Sequence, residues 1–295
     1  MTQTRWITLG TCGGPFQRTE AFQISNARVV DEDVSLCDVG NGVLRRLAEA
    51  GIDPARLRGV FLTHHHPDHL ADLGIVLLTH WLGPGDRRLV VGGPHGTGHL
   101  VAGLADAYRH TELTEAPDKP GIVERVTVHE AERPADHRLV ELYRDEAILV
   151  EAIEVAHFRS PSPGAARPHA IGLRVTTPDR VIAYTGDTGM TPALVPLAQD
   201  ANLLVSEVVD VPRITEDLRT RFAAAPAIVD RVEYNMRNNH LTPEEIGSVA
   251  ASAHVRQILL THFVPYPAPE SVAGLVCAAG AGAVPVIAAR DLGEY

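Results

Sequence analysis

The sequence is poor in the features that mark several classes of protein. Its three cysteines, Cys12, Cys37 and Cys277, lie far apart and form no Cys-x-x-Cys pair, so we expect buried thiols and no disulfide framework. No apolar run approaches the roughly 18 residues of a membrane span, and the first residues lack the layout of a secretory signal. These absences favour a cytoplasmic protein without a membrane partner, although a periplasmic chain that had lost its signal would look the same.

Positive charge is also scarce. The 295 residues include 26 Lys and Arg against 37 Asp and Glu, which gives a formal net charge of −11. Proteins that hold long nucleic acids need clustered Lys and Arg to displace phosphate counterions, so this balance argues against a nucleic-acid partner. Small anionic esters remain open as substrates, because bound divalent cations would make a pocket locally positive.

Strand-like segments in this sequence repeatedly end just before a histidine or an aspartate. His64, His157, Asp187 and His262 each follow such a segment. Residues at the ends of different strands can converge on one rim of a sheet, where binding sites usually form. We therefore expect these four side chains to share one site.

A run of histidines supplies the strongest local motif. His64 and His66 are spaced so that both imidazoles can reach one cation, and Asp68 and His69 can face a second. Imidazole and carboxylate suit Zn²⁺, and also Mn²⁺ or Fe²⁺. The alternative is an exposed polyhistidine patch, but Pro67 interrupts the run and an apolar, helix-like segment follows it.

The motif resembles the Thr-His-x-His-x-Asp-His signature of metallo-β-lactamase-fold hydrolases, here Thr63-His64-His65-His66-Pro67-Asp68-His69. Further blocks match that family in order: Leu9-Gly10-Thr11-Cys12-Gly13-Gly14, Cys37-Asp38-Val39-Gly40, Val155-Ala156-His157, Tyr184-Thr185-Gly186-Asp187-Thr188, His240-Leu241-Thr242 and Leu260-Thr261-His262-Phe263. The resemblance spans almost the whole chain. It implies an α/β fold, the αββα sandwich, in which two mixed β-sheets pack face to face with helices outside.

The resemblance also implies a set of metal ligands. The first metal would be held by His64, His66 and His157, the second by Asp68, His69 and His262, and Asp187 would bridge the two. Two divalent ions are expected, with Zn²⁺ favoured. A hydroxide shared between two such cations is a nucleophile near neutral pH, and Asp68 could orient it or receive its proton.

Two further residues match the family outside the ligand set. His240 resembles the non-ligand histidine of the phosphodiesterase and tRNA 3′-processing branches, where it stabilises developing charge or protonates the leaving oxygen. Glu207 matches a carboxylate that orients this histidine, and both count here as catalytic candidates together with Asp68. His169 is an alternative to His157 as a ligand, but His157 follows a strand directly, and His65 is expected to point away.

We expect one domain over residues 1–295, with a variable excursion at 111–145 and a helical insertion at 211–239. Thr242 and Glu245 have the spacing of a capping box at the start of a helix.

The choice of reaction rests on departures from particular branches of the family. The span from His157 to Asp187 is too short for the arm with which bacterial tRNA 3′-processing enzymes grip tRNA, and Met190 stands where lactonases carry tyrosine. We therefore expect a phosphodiesterase or arylsulfatase-like hydrolase of small anionic esters. A lactonase or thioester hydrolase is the alternative, tRNA 3′ processing ranks behind both, and a homodimer is compatible with the sequence.

Overall fold

The computed structural model describes residues 3–84, 86–132, 137–158, 168–223, 225–280 and 283–295. The strands are β1 Thr4–Gly10, β2 Ser25–Val30, β3 Asp33–Val39, β4 Leu57–Phe61, β5 Leu89–Pro94, β6 Val126–Ala131, β7 Val140–Arg144, β8 Leu149–Val155, β9 Ala170–Thr176, β10 Val181–Tyr184, β11 Leu203–Val209, β12 Ile258–Val264, β13 Val286–Ala288 and β14 Gly293–Glu294. The helices are α1 Val43–Glu49, α2 Pro67–Leu70, α3 Leu73–Leu82, α4 Thr97–Ala107, α5 Arg109–Glu115, α6 Leu194–Ala198, α7 Val211–Arg221, α8 Pro226–Asn239, α9 Pro243–Ser252 and α10 Pro269–Ala279.

The strands form two mixed sheets of seven. The first has the order β14-β1-β2-β3-β4-β5-β6 and the second the order β13-β12-β11-β10-β9-β8-β7. Strands β3 to β6 run parallel in the first sheet, and β10 to β13 run parallel in the second. Because parallel strands end at the same edge of a sheet, the residues that follow β4, β10 and β12 can meet there.

Hydrophobic side chains divide into three layers. Alternate residues of one strand enter different layers: on β4, Phe61 packs between the sheets while Val60 packs under the helices of the first sheet. On β11, Val205 lies between the sheets and Leu204 faces the helices of the second sheet. Each such burial contributes about 1.5–3 kcal/mol. Since both faces of both sheets are covered, the αββα sandwich expected from the sequence is confirmed.

A bulge in β12 presents His262 to the edge of the sheet. Strands β11 and β12 pair up to Glu207 and Thr261 and resume one residue later on β12, which leaves His262 without a ladder partner on β11. The His262 φ angle is 44°. The sequence pattern predicts that this strand ends before His262, but β12 continues to Val264, because the β1 extension at Cys12 also pairs with it. Bulges of this kind redirect a side chain next to a site.

The predicted variable excursion and the predicted helical insertion both contain regular structure. Residues 111–145 include the end of α5 and the strands β6 and β7, each at the edge of its sheet, and residues 133–136 lie outside the described part. Edge strands tolerate polar side chains because one of their sides faces solvent. Residues 211–239 form α7 and α8, with residue 224 outside the described part. None of the described helices combines the length and apolar character needed to cross a membrane.

The capping box at the start of α9 is present. The Glu245 backbone N–H donates to Thr242 Oγ1 at 3.4 Å, and the Thr242 backbone N–H donates to Glu245 Oε2 at 2.9 Å. Removing a side-chain cap of this type costs about 1 kcal/mol.

We predict that Thr242→Ala lowers the free energy of unfolding by about 1 kcal/mol, because the first turn of α9 loses an acceptor. The measurement is the urea midpoint followed by circular dichroism. Thr242→Ser keeps the hydroxyl and is the matched control, so equal midpoints for the two variants would contradict the cap's contribution.

Candidate metal centre

The histidine run lies in the turn from β4 into α2. Pro67 occupies the first position of α2 and His66 is its N-cap residue, which places Asp68 and His69 on the first turn. His65 turns the other way, where its Nε2 lies 3.0 Å from Thr97 Oγ1. The structure therefore separates His65 from its neighbours, as sequence analysis expects.

Four of the expected ligands form one group. The atoms of this group lie within 4.8 Å of one another and belong to His64, His66, His157 and Asp187. His157 Nε2 lies 3.1 Å from His66 Nδ1, and it lies 3.9 Å from Asp187 Oδ2. His64 Nε2 is also 3.9 Å from that oxygen. His169 is buried but belongs to none of the potential metal-binding groups among the described residues, so the geometry favours His157.

The other three expected ligands, Asp68, His69 and His262, form a second group. His69 Nε2 and His262 Nε2 lie 3.1 Å apart, and Asp68 Oδ2 lies 3.4 Å from His262 Nε2. Asp187 Oδ1 lies 3.3 Å from each of the two histidine nitrogens. One oxygen of Asp187 therefore faces the first group and the other faces the second, which is the arrangement of a bridging carboxylate.

These distances fit divalent cations. Nitrogen ligands at about 2.0–2.1 Å from one tetrahedral metal stand roughly 3.3 Å from each other. Both Nε2–Nε2 and Nε2–Nδ1 pairs at 3.1 Å match this spacing. His64 Nε2 is buried and has no hydrogen-bond partner among the described residues. A buried polar atom without a partner is costly, and coordination would satisfy it.

Asp38 holds the second group in place, a role that sequence analysis misses. Asp38 Oδ2 lies 2.8 Å from His69 Nδ1 and accepts a 2.7 Å hydrogen bond from the Tyr184 hydroxyl. Its Oδ1 accepts the Thr63 backbone N–H at 2.8 Å. Asp38 is fully buried. A carboxylate on the far nitrogen fixes the orientation of a ligand histidine. The sequence feature that could have indicated this role is the position of Asp38 in the Cys37-Asp38-Val39-Gly40 block at the end of β3.

His240 and Glu207 lie beside the first group. His240 Nδ1 is 2.5 Å from Glu207 Oε2 and 4.0 Å from Asp187 Oδ2. Glu207 Oε1 accepts the Thr188 backbone N–H at 2.5 Å, so the carboxylate is held from both sides. The structure brings both residues to the position that sequence analysis expects for them.

The pKa values show how charge is distributed in the centre. Burial lowers the pKa of His157 to about 3 and the pKa of His64 well below its ordinary value, so both rings are neutral, as metal ligands must be. Burial also opposes protonation of His69, but the carboxylates of Asp187 and Asp38 outweigh it and raise its pKa. The carboxylates therefore create a negative potential that cations would balance.

Two glycines allow the groups to come together. A Cβ atom on Gly13 would stand 2.5 Å from His262 Cε1, and one on Gly186, whose φ is 56°, would stand 2.7 Å from Thr63 Cβ. A side chain at either position would displace its neighbour.

Comparison with known proteins shows the family of the chain that carries these side chains. A family model described as the beta-lactamase superfamily domain matches residues 36–263. The chain belongs to the metallo-β-lactamase-fold superfamily. Membership agrees with the two sheets and with the two groups of expected ligands, and it makes the protein a metal-dependent hydrolase.

Two relatives that are similar in sequence are both named Ribonuclease Z. Ribonuclease Z of Mycobacterium marinum is 32% identical over 276 residues, which cover 88% of this chain and 86% of the relative. Ribonuclease Z of Mycolicibacterium paratuberculosis is 30% identical over 284 residues with the same coverage. Among solved structures, the short form of human tRNase Z and YhfI from Bacillus subtilis each give a TM-score of 0.67. They are 21% and 18% identical, and each comparison covers 99% of this chain and 98% of the other.

The relatives overturn the expected substrate. The sequence features favour hydrolysis of small phosphate or sulfate esters over tRNA 3′ processing. This ranking is wrong, because relatives at about 30% identity across most of the chain are named Ribonuclease Z. The ranking relied on the net charge and on the short span before Asp187, part of which, residues 159–167, lies outside the described part. Net charge averages the whole surface and does not describe the charge beside the metals.

We predict that His66→Ala lowers the metal content from about two to about one divalent ion per chain, because the first group loses a ligand. His65→Ala is the matched control and keeps the full content. Elemental analysis of both variants, purified without chelator, makes the comparison. Equal loss in the two variants would contradict the assignment.

We predict that Asp38→Asn weakens metal binding by about 10- to 100-fold, because His69 loses the carboxylate that orients it. Competition with a chelating dye measures the affinity. Asp33→Asn, at the opposite end of β3, should leave it unchanged. If the two variants bind metal equally well, Asp38 has no role in positioning the ligands.

Proposed function

We propose that the protein is a tRNA 3′-processing endonuclease with two Zn²⁺ ions in the metal centre. It cuts a precursor tRNA at the phosphodiester that joins the 3′ trailer to the acceptor end. The observation that carries this proposal is the identity of about 30% to Ribonuclease Z sequences over 88% of this chain. The full set of seven ligand side chains and the His240–Glu207 pair support it, because a chain that had lost the reaction would not need to retain them.

The metal centre would act on the scissile phosphate. Two divalent cations, when bound, supply Lewis acidity that activates water and neutralises charge on a phosphoryl oxygen. His64, His66 and His157 would hold one cation, Asp68, His69 and His262 the other, and Asp187 would contact both. Asp68 also accepts the Gly14 backbone N–H at 2.7 Å, which fixes its carboxylate where it could take up a proton.

His240 would assist departure of the leaving oxygen. Its Nδ1 is held by Glu207, so a proton passed to substrate would come from Nε2. Burial opposes protonation of this ring, but the Glu207 carboxylate outweighs it and raises the pKa of His240 to about 9. A ribose oxygen is a poor leaving group, so its departure depends on such a donor.

The direct test is to incubate the metal-loaded protein with a precursor tRNA that carries a labelled 3′ trailer. We predict release of the trailer by one cut at the end of the acceptor stem, and no cut in an RNA of the same length that lacks the tRNA fold. Bis-p-nitrophenyl phosphate, p-nitrophenyl sulfate and a homoserine lactone serve as comparison substrates. An intact precursor together with rapid turnover of the sulfate or the lactone would refute the proposal.

We predict that His240→Ala slows precursor cleavage by about 10²- to 10⁴-fold without changing metal content. Hydrolysis of bis-p-nitrophenyl phosphate should suffer less, because p-nitrophenolate leaves without a proton. His110→Ala, an exposed histidine on α5, is the control. Loss of metal in the His240 variant, or an equal loss with both substrates, would contradict the proton-donor role.

A further inference from the structure

A cavity of about 670 Å³ lies where β12 and β13 of the second sheet end. Its walls come from the first turn of α7, from the chain after β12 and from the chain around the end of β13, and they include Arg213, Tyr266 and Arg290. Arg18, from the loop after β1, completes the lining on another side. Because β11, β12 and β13 run parallel, all three end at the edge of the sheet where the metal centre lies.

The cavity is joined to the metal centre through the backbone. Phe263 lines the cavity and directly follows His262, a ligand of the second group. The Gly13 backbone N–H donates to the Phe263 carbonyl oxygen at 3.3 Å, and Gly13 itself packs on the His262 ring. The lining of this cavity therefore begins one residue along β12 from a metal ligand.

Positive charge exceeds negative charge among the residues that line the cavity. Of its charged lining residues three are arginines and one, Glu20, is acidic. Two other arginines in this region, Arg219 on α7 and Arg237 on α8, are paired and lie 3.4 and 2.9 Å from Glu233. Arg213 instead donates to the Ser271 hydroxyl at 3.2 Å, and within the described residues it makes no salt bridge. In a chain of net charge −11, this local excess favours an anionic ligand.

Tyr266 adds an aromatic surface to the cavity. Its ring stands at 90° to the ring of Phe263, with centroids 6.0 Å apart, and it is partly exposed. Guanidinium groups that contact phosphates, combined with an aromatic face on which a base can stack, are the features with which proteins bind single-stranded nucleic acid.

We propose that this cavity binds a nucleotide that flanks the scissile phosphodiester, with Arg213 and Arg290 on its phosphate and Tyr266 beside its base. The proposal rests on the proposed function, since it assumes an RNA strand that passes the metals. Either the trailer or the acceptor end could supply the nucleotide, because both carry the same backbone. Arg213 is thus a positioning residue that acts through substrate placement and not through the metals.

The test compares Arg213→Ala with Arg219→Ala, which removes the same charge from the same helix outside the cavity. We expect kcat/KM for precursor tRNA to fall about tenfold in Arg213→Ala, as for loss of a charge-assisted phosphate contact, and to stay near wild type in Arg219→Ala. Hydrolysis of bis-p-nitrophenyl phosphate, which has no flanking nucleotide, should be unchanged. The dependence of log kcat/KM on log salt should become less steep by about one in Arg213→Ala only.

Precursors with a single-nucleotide trailer and with a long trailer identify the source of the nucleotide. A loss seen only with the long trailer assigns the cavity to the trailer, and an equal loss assigns it to the acceptor end. Arg290→Ala, at an exposed side chain, repeats the test if Arg213→Ala does not fold.

An equal effect of Arg213→Ala and Arg219→Ala would overturn the cavity proposal, and so would a parallel loss with bis-p-nitrophenyl phosphate. Binding of a labelled single-stranded hexaribonucleotide, followed by fluorescence anisotropy, separates this failure from failure of the proposed function. If wild type leaves precursor tRNA intact but binds the oligonucleotide through Arg213, only the processing assignment fails. If Arg213→Ala binds it as tightly as wild type, the cavity proposal fails.

Discussion

The Asp187 carboxylate lies between two groups of imidazoles, with one oxygen 3.9 Å from nitrogens of the first group and the other 3.3 Å from nitrogens of the second. The position of the Asp187 carboxylate constrains the rest of the fold, because the side chains of the two groups come from different strands of both sheets. The parallel strands bring the ligands to one edge, the bulge at His262 turns one ligand inward, and Gly186 lets the turn before Asp187 pass against Thr63. Each of these features brings ligand side chains close together, which would serve little purpose without a bound cation.

Much of this centre could be predicted from the sequence, because its ligands follow short strands. The residues after β4, β8 and β10 and within β12 meet as that pattern indicates, and His65 points away. The role of Asp38 as a positioning residue was not predicted, since a buried aspartate near the end of a strand has no local pattern that shows which side chain it will contact. The end of β12 was misplaced for a similar reason: it depends on pairing with residues far away at Cys12.

The substrate could not be predicted by the same reasoning. A metal centre specifies the bond that is attacked, whereas the surrounding surface selects the molecule that carries the bond. Net charge is a sum over the whole chain, and it conceals the arginines that line the cavity beside Phe263. The length of one connecting segment is an equally indirect measure, because another part of the surface can hold the same substrate. Similarity to Ribonuclease Z sequences over most of the chain corrected an interpretation that composition had favoured.

The proposed chemistry depends most directly on two cations that share Asp187. Anomalous X-ray diffraction at the zinc edge, from crystals grown with Zn²⁺, measures this without reference to activity. We predict two strong peaks in the anomalous map. One should be surrounded by His64, His66 and His157, the other by Asp68, His69 and His262, and both should contact Asp187. A single peak, or a pair in which Asp187 contacts only one metal, would contradict the bridged centre on which the proposed chemistry rests.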